Sequence, residues 1–411
     1  RRPLDLAASR STKTIMLTRR NLLVAGVQVS AACLAGPSLG ARSVSVAARG
    51  QDERVLVVLQ LTGGNDGLNT VVPFGQDQYY RLRPNLGLAK GALHRLDDMH
   101  GLHPAMGGMA ELFGEAKVAV IQGVANPSPN RSHFRSMEVW HTAEPNKPVG
   151  DIGWLGRLSD QIAREDQGSM PALAIGASNL PLSMRAERSL APTVQSAAGF
   201  EMDPRSEELA AWRNRLIEGD TKGDLGYLRI AARSTYDAVR RMEAIAAKGT
   251  SVEYPETELA RQFELVAGLI TGGFGTRVFT LEVTGFDTHA RQTAVHAELL
   301  GRVSDAIAAF QKDLTVRGVA DNVLTFAFSE FGRRAAENGS KGTDHGRGAP
   351  VFLVGNGVRP GIHGSAPDLE DLVEGDIPGT TDFRALYSAM ERDWMGLVPS
   401  SRIKPAPVLT D

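Results

Sequence analysis

Four short segments of this chain bring together side chains that can bind cations. They are Gly63-Gly64-Asn65-Asp66-Gly67-Leu68-Asn69, Gly285-Phe286-Asp287-Thr288-His289, Ser329-Glu330-Phe331-Gly332-Arg333 and Thr343-Asp344-His345-Gly346. Between them they supply three Asp, one Glu and two His. With a single cysteine in the chain, a metal would have to be held by these carboxylate oxygens and imidazole nitrogens. Each segment also has an ordinary structural reading. Asp66-Gly67 suits a turn, Asp287 stands where it would cap a helix, and Glu330 alone reads as a surface carboxylate. A fifth segment, Asn126-Pro-Ser-Pro-Asn-Arg-Ser132-His133-Phe134, places Ser132 at an expected helix start. There its hydroxyl either caps the helix or, beside a metal, loses its proton and attacks phosphorus or sulfur. No Gly-x-Ser-x-Gly elbow is present, so a serine hydrolase triad finds no support. Arg131, Arg135, Arg291 and Arg333 adjoin these motifs, each able to clamp an anion or neutralise a carboxylate.

What unites the segments is their position relative to apolar runs. Residues 54–61, 277–283, 322–328 and 349–354 are rich in Val, Leu and Phe without polar alternation, as strands buried on both faces require. Between the second and third runs, Val295, Leu299, Leu300, Val303, Ile307 and Phe310 recur at helical spacing over 290–314. Strand, helix and strand then form a parallel crossover. In open parallel sheets, ligands bind outside the carboxyl ends of the strands, so the polar segments are expected to converge on one edge. The fold class expected is α/β, with residues 49–411 forming a single domain. High charge and helical periodicity over 150–262, at 209–217 and 228–247, predict a mainly helical insertion or cap. The formal charge of −2, with 45 basic and 47 acidic side chains, argues against a nucleic-acid partner.

The first 48 residues read as an address. Met16 is the expected start, followed by Thr18-Arg19-Arg20-Asn21-Leu22-Leu23 and an apolar stretch too short for a bilayer span, then small residues near 39–48. This is the pattern of a twin-arginine signal peptide, which places the mature chain in the periplasm or outside the cell, without a membrane span. Such export carries folded proteins, often with a cofactor already inserted.

The order of these motifs resembles the bacterial exported domain of unknown function 1501 family. The likeness runs through Leu61-Thr-Gly-Gly-Asn-Asp-Gly-Leu-Asn69, Gly101-Leu102-His103-Pro104, Asn130-Arg131-Ser132-His133-Phe134, Phe286-Asp-Thr-His289, Ser329-Glu-Phe-Gly-Arg333 and Thr343-Asp-His-Gly346. The resemblance implies the alkaline phosphatase and sulfatase-like superfamily, hence a three-layer α/β/α sandwich with a mostly parallel central sheet. It implies a metal-dependent hydrolase of phosphate or sulfate esters with Ser132 as nucleophile. Substrate contacts would come from Asn65, Asn69, Arg131 and His133, and metal ligands from Asp66, Asp287, His289, Glu330, Asp344 and His345. Arg291 stands where the superfamily has a histidine, so His289 would substitute or that ligand is lost. The reduced histidine count implies an oxygen-rich site for one or two divalent ions, Mn, Mg or Ca rather than a dizinc pair, with Zn also open. The alternative is a catalytically inactive exported protein of the same fold that binds a small anionic or glycan-type ligand, or another exported protein.

The leader carries its own test. The mature chain is expected to begin between Arg42 and Arg49 and to lack cysteine, since Cys33 lies in the leader. Mass spectrometry of exported material checks this, and replacing both Arg19 and Arg20 by Lys is expected to abolish export.

Overall fold

The computed structural model describes residues 54–147, 150–165, 170–189, 191–194 and 240–410, with positions 211, 215, 229 and 233. The leader readings at Met16, Arg19, Arg20 and Cys33, and most of the segment 195–239, lie outside the described residues.

Twelve strands are found among the described residues. They are β1 (Val55–Thr62), β2 (Val71–Val72), β3 (His94–Arg95), β4 (Gly101–Leu102), β5 (Val118–Ala125), β6 (Ala172–Ile175), β7 (Thr193–Val194), β8 (Val278–Thr284), β9 (Val323–Phe328), β10 (Ala349–Val354), β11 (Gly361–His363) and β12 (Thr381–Asp382). The main sheet has the order β11-β5-β10-β9-β1-β8-β6-β7, with β12 also paired to β5. Every pairing in it is parallel except those of β10, which runs antiparallel to both β5 and β9. β10 therefore begins at the edge where the other strands end, and the residues before it share that edge with the residues after β1, β5, β8 and β9.

The apolar runs lack polar alternation because both faces are covered. Along β1, Val55, Val57, Leu59 and Leu61 pack into a layer with helices Gly107–Gly114, Glu258–Thr271 and Gln292–Val316. Leu56 and Val58 face the opposite layer, with helices His133–Thr142, Trp154–Glu165 and Phe383–Ala389. Side chains two apart point the same way on a strand, so one sequence feeds two cores. The result is the three-layer α/β/α sandwich with a mostly parallel sheet.

Two expectations need adjustment. The stretch 150–262 is not separate from the sandwich at its ends: helix Trp154–Glu165, β6, β7 and the start of helix Glu258–Thr271 belong to the layers. Short apolar runs such as Ala172–Ile175, flanked by charged helical sequence, hide from a periodicity reading. The crossover helix begins at Gln292, with Arg291 in a left-handed conformation before it, so Asp287 does not cap it.

A small sheet, β2-β4-β3, and a cluster of Leu68, Val72, Phe74, Tyr79, Ala335, Leu369 and Ile377 wall off one side of the carboxyl edge. At the end of β1, Gly63 has φ +123° and lies against the backbone of Phe286 and Asp287, where a Cβ would collide. Gly63→Ala is therefore expected to cost about 2 kcal/mol or more, measured by denaturant unfolding, and to displace the Asp287 loop.

Candidate active site

Asp287 is the hub of the carboxyl edge. Its Oδ1 lies 3.0 Å from His345 Nε2, 3.0 Å from His289 Nε2 and 3.5 Å from His133 Nε2, and it accepts a 2.8 Å hydrogen bond from Arg333. Burial works against ionisation here, but the Arg333 guanidinium outweighs it and holds the carboxyl below the ordinary carboxylate range.

Three imidazoles turn Nε2 toward this carboxylate because their other nitrogens are engaged behind them. His133 Nδ1 lies 2.8 Å from Glu330 Oε1, His345 Nδ1 2.8 Å from the Arg131 carbonyl, and His289 Nδ1 3.4 Å from Asp344 Oδ1. An acceptor on Nδ1 draws the proton there and leaves Nε2 with a lone pair. This is the arrangement in which a ligating histidine is held by an outer carboxylate or carbonyl. His133 Nε2 is buried with no hydrogen-bond partner, and the His289 and His345 Nε2 atoms stand 2.9 Å apart. Lone pairs so placed repel one another unless a proton or a cation lies between them. One donor atom each from His133, Asp287 and His345 fall within 4.8 Å of one another, and His289 adjoins two of the three.

The sequence-derived residues divide accordingly. Asp287, His289 and His345 face the centre. Glu330 is buried and acts behind it, accepting the Gly63 N–H at 3.0 Å and holding His133. Asp344 likewise orients His289 and is fixed by Asn338 at 3.1 Å. His133, assigned above to substrate, belongs to the donor group instead. With three imidazoles and one carboxylate around it, the centre has more nitrogen donors than the oxygen-rich site that the resemblance and its reduced histidine count implied, because His133 joins it.

Asp66 departs most from expectation. It is fully buried, ion-paired with Arg83 and hydrogen-bonded by Gln292. Burial would raise its pKa, but the Arg83 guanidinium outweighs that and keeps it below the ordinary carboxylate range. Gln292 in turn accepts the hydroxyls of Thr288 at 3.1 Å and Thr343 at 2.7 Å, so Asp66 steadies both ligand loops from behind. Asn65 and Asn69, expected to touch substrate, are also internal. Asn65 Oδ1 lies 2.8 Å from His296, and Asn69 accepts from Tyr79 at 3.0 Å and Arg83 at 2.8 Å. A strand-end position brings a residue to the edge without deciding which way it turns. Arg83 decides here, and no motif marked it.

Ser132 occupies the cap position of helix His133–Thr142, yet its side chain makes no capping hydrogen bond, and the residue is exposed. Its neighbour Phe134 is 89% exposed. Arg131 is ion-paired with Asp376 at 2.6 Å.

Residues 122–398 match a protein family described as "Protein of unknown function (DUF1501)". No curated protein matches the chain. Among solved structures, the chain is similar to the lipoteichoic acid synthase LtaP from Listeria monocytogenes, at 10% identity over 96% of this chain and 82% of that one, with a TM-score of 0.35. It is also similar to a protein in the alkaline phosphatase superfamily from Vibrio parahaemolyticus, at 12% identity over 78% and 64% of the two chains, TM-score 0.32. A third is the PsFucS1 sulfatase from Pseudoalteromonas sp., at 10% identity over 84% and 68%, TM-score 0.34. At such scores the roles of individual residues rest on the geometry above.

If the donor group holds an ion, metal content separates the two classes of residue. Asp66→Asn is expected to retain bound metal while losing about 3 kcal/mol of stability, because a buried guanidinium loses its partner. Its lowered pKa means that the Asp66 contribution is present above about pH 4 and fades as pH falls, so this variant should also show a flatter acid limb. His345→Ala is expected to lose the metal while stability changes by about 1 kcal/mol or less. Elemental analysis beside urea unfolding checks both.

Proposed function

This chain belongs to the DUF1501 family, and we propose that it is an exported metal-dependent hydrolase of phosphate or sulfate esters with Ser132 as nucleophile. The observation that carries the reading is the donor group: His133 Nε2, buried and unpartnered, faces Asp287 and His345 with every atom of the set within 4.8 Å. Two imidazoles and a carboxylate suit zinc or a similar transition ion better than Mg or Ca, and the single group found among the described residues suits one ion. A cation held there would polarise an ester oxygen and favour the ionised form of a nearby hydroxyl.

The chain's own residues supply the rest. Glu330, Asp344 and the Arg131 carbonyl fix the imidazole tautomers. Ser132 presents a hydroxyl that no cap bond consumes, at the start of a helix whose first-turn N–H groups have no intrahelical acceptors and favour an anion. In the proposed reaction Ser132 Oγ bonds to phosphorus or sulfur as the ester oxygen departs, and water then cleaves the seryl ester. Phe134 offers an apolar face to the organic part of the substrate, consistent with a small anionic or glycan-type ester. A periplasmic or extracellular location rests on the leader pattern alone.

One observation favours the second reading, an inactive binding protein: Arg83 and Arg333 already neutralise the carboxylates of Asp66 and Asp287. Turnover decides between them. With an aryl phosphate or aryl sulfate and Zn, Mn, Mg or Ca, Ser132→Ala is expected to lower kcat/KM at least about 10²-fold with metal content intact. Wild type inactive with both ester classes and all four ions establishes the binding protein instead.

A further inference from the structure

We propose that Arg131, Arg334 and Arg347 form an anion subsite beside the donor group, so that the ligand carries a second oxyanion besides the ester. The subsite deepens the hydrolase reading, since the ester itself is assigned by that reading.

The cluster is built on Asp376, a fully buried carboxylate. A tight turn presents it: Val373 and Asp376 exchange two backbone hydrogen bonds of 3.0 Å around Glu374 and Gly375, both at positive φ. Arg131 Nη2 at 2.6 Å and Arg347 Nε at 3.1 Å share Asp376 Oδ2, while Arg334 Nε lies 3.6 Å from Oδ1. Arg347 also pairs with Glu374 at 2.7 Å, and Arg334 donates to the Glu374 carbonyl at 3.0 Å.

Three guanidiniums thus gather on two carboxylates, and Glu374 is 71% exposed, so solvent weakens its share. A buried carboxylate needs one bidentate arginine to be satisfied. Here Arg131 and Arg347 each reach Asp376 Oδ2 through a single nitrogen and Oδ1 has no hydrogen-bond partner, so most of the fifteen or so N–H donors on three guanidiniums are not used on Asp376. Like charges at this spacing repel, and Asp376 holds them together. An oxyanion laid across them would complete the set.

The backbone that carries the subsite adjoins the centre. The Arg131 carbonyl accepts from His345 Nδ1 at 2.8 Å, the Arg334 N–H donates to the Asp344 carbonyl at 2.9 Å, and Arg347 follows His345 by two residues. Arg131 also precedes Ser132. A carboxylate, sulfate or phosphate bound there would belong to the same small molecule as an ester at the donor group.

Binding can be tested without turnover. The full chain, stripped of metal, is titrated calorimetrically with inorganic pyrophosphate at low ionic strength, where surface charge is least screened. Wild type is expected to bind. Arg334→Gln, chosen because its contact with Asp376 is the longest, should weaken binding about tenfold, and Arg334→Lys should recover most of the loss. Arg347→Gln is the second variant and is expected to act in the same direction. Affinity unchanged in both Gln variants overturns the subsite. So does a loss shared by Arg334→Lys with a lowered melting temperature, which marks the arginines as staples between loops. Arginine-dependent pyrophosphate binding in a chain that hydrolyses no ester would keep the subsite and remove the hydrolase reading. Ester turnover with no arginine dependence would do the reverse.

Discussion

The buried guanidinium of Arg333 gathers three strand ends into one site. It donates to the carbonyls of Gly63 and Gly64 after β1, to Phe286 and the Asp287 carboxylate after β8, and to Thr343 before β10. Backbone carbonyls that converge in a buried place need a donor, and leaving them unmet costs about 1–3 kcal/mol each. A planar cation can satisfy several at once from a fixed geometry. Strand pairing already sets the β1 and β8 ends side by side; Arg333 fixes the conformation of the loops beyond them and lowers the pKa of Asp287. Most of the Arg333 hydrogen bonds point into the loops, and its contact with Asp287 is to Oδ1, the same oxygen that faces the three imidazoles.

Around that anchor the donor group is oriented from behind. Glu330, Asp344 and the Arg131 carbonyl each take the far nitrogen of one histidine, so three ring orientations are set before any ligand arrives. Asp66, Gln292, Thr288 and Thr343 form a second chain of hydrogen bonds beneath the same loops. A site whose supports are this connected can be preorganised, and a preorganised electrostatic environment is where most of the rate advantage of an enzyme arises.

Much of this was legible in the sequence. The strand runs at 54–61, 277–283, 322–328 and 349–354 and the polar segments at their ends were visible because doubly covered strands lose polar alternation and parallel sheets collect ligands at one edge. Orientation was not visible. Asp66 turns inward because Arg83 lies seventeen positions away in a helix-bounded loop, a pairing that only packing creates. The role of His133 is not legible in its segment because it depends on reaching across to Asp287 and Glu330. The arginines at 334 and 347 draw meaning from Asp376, which sits in a turn without any motif. The reversed direction of β10 was also unmarked, since an apolar run carries no polarity.

That reversal bears on when the centre can come into being. Glu330, Arg333, Asp344 and His345 all lie in the connection between β9 and β10, which leaves and re-enters the sheet at the same edge. His133 and Asp287 reach it only through pairings between segments far apart in the chain, and such contacts are slow to form because long loops must close first. During synthesis, β1, β5, β6, β8 and β9 are all made before His345 appears. The donor group is therefore a late product of folding, completed when β10 slots between β5 and β9, and it exists only in the finished sheet and not in the nascent chain.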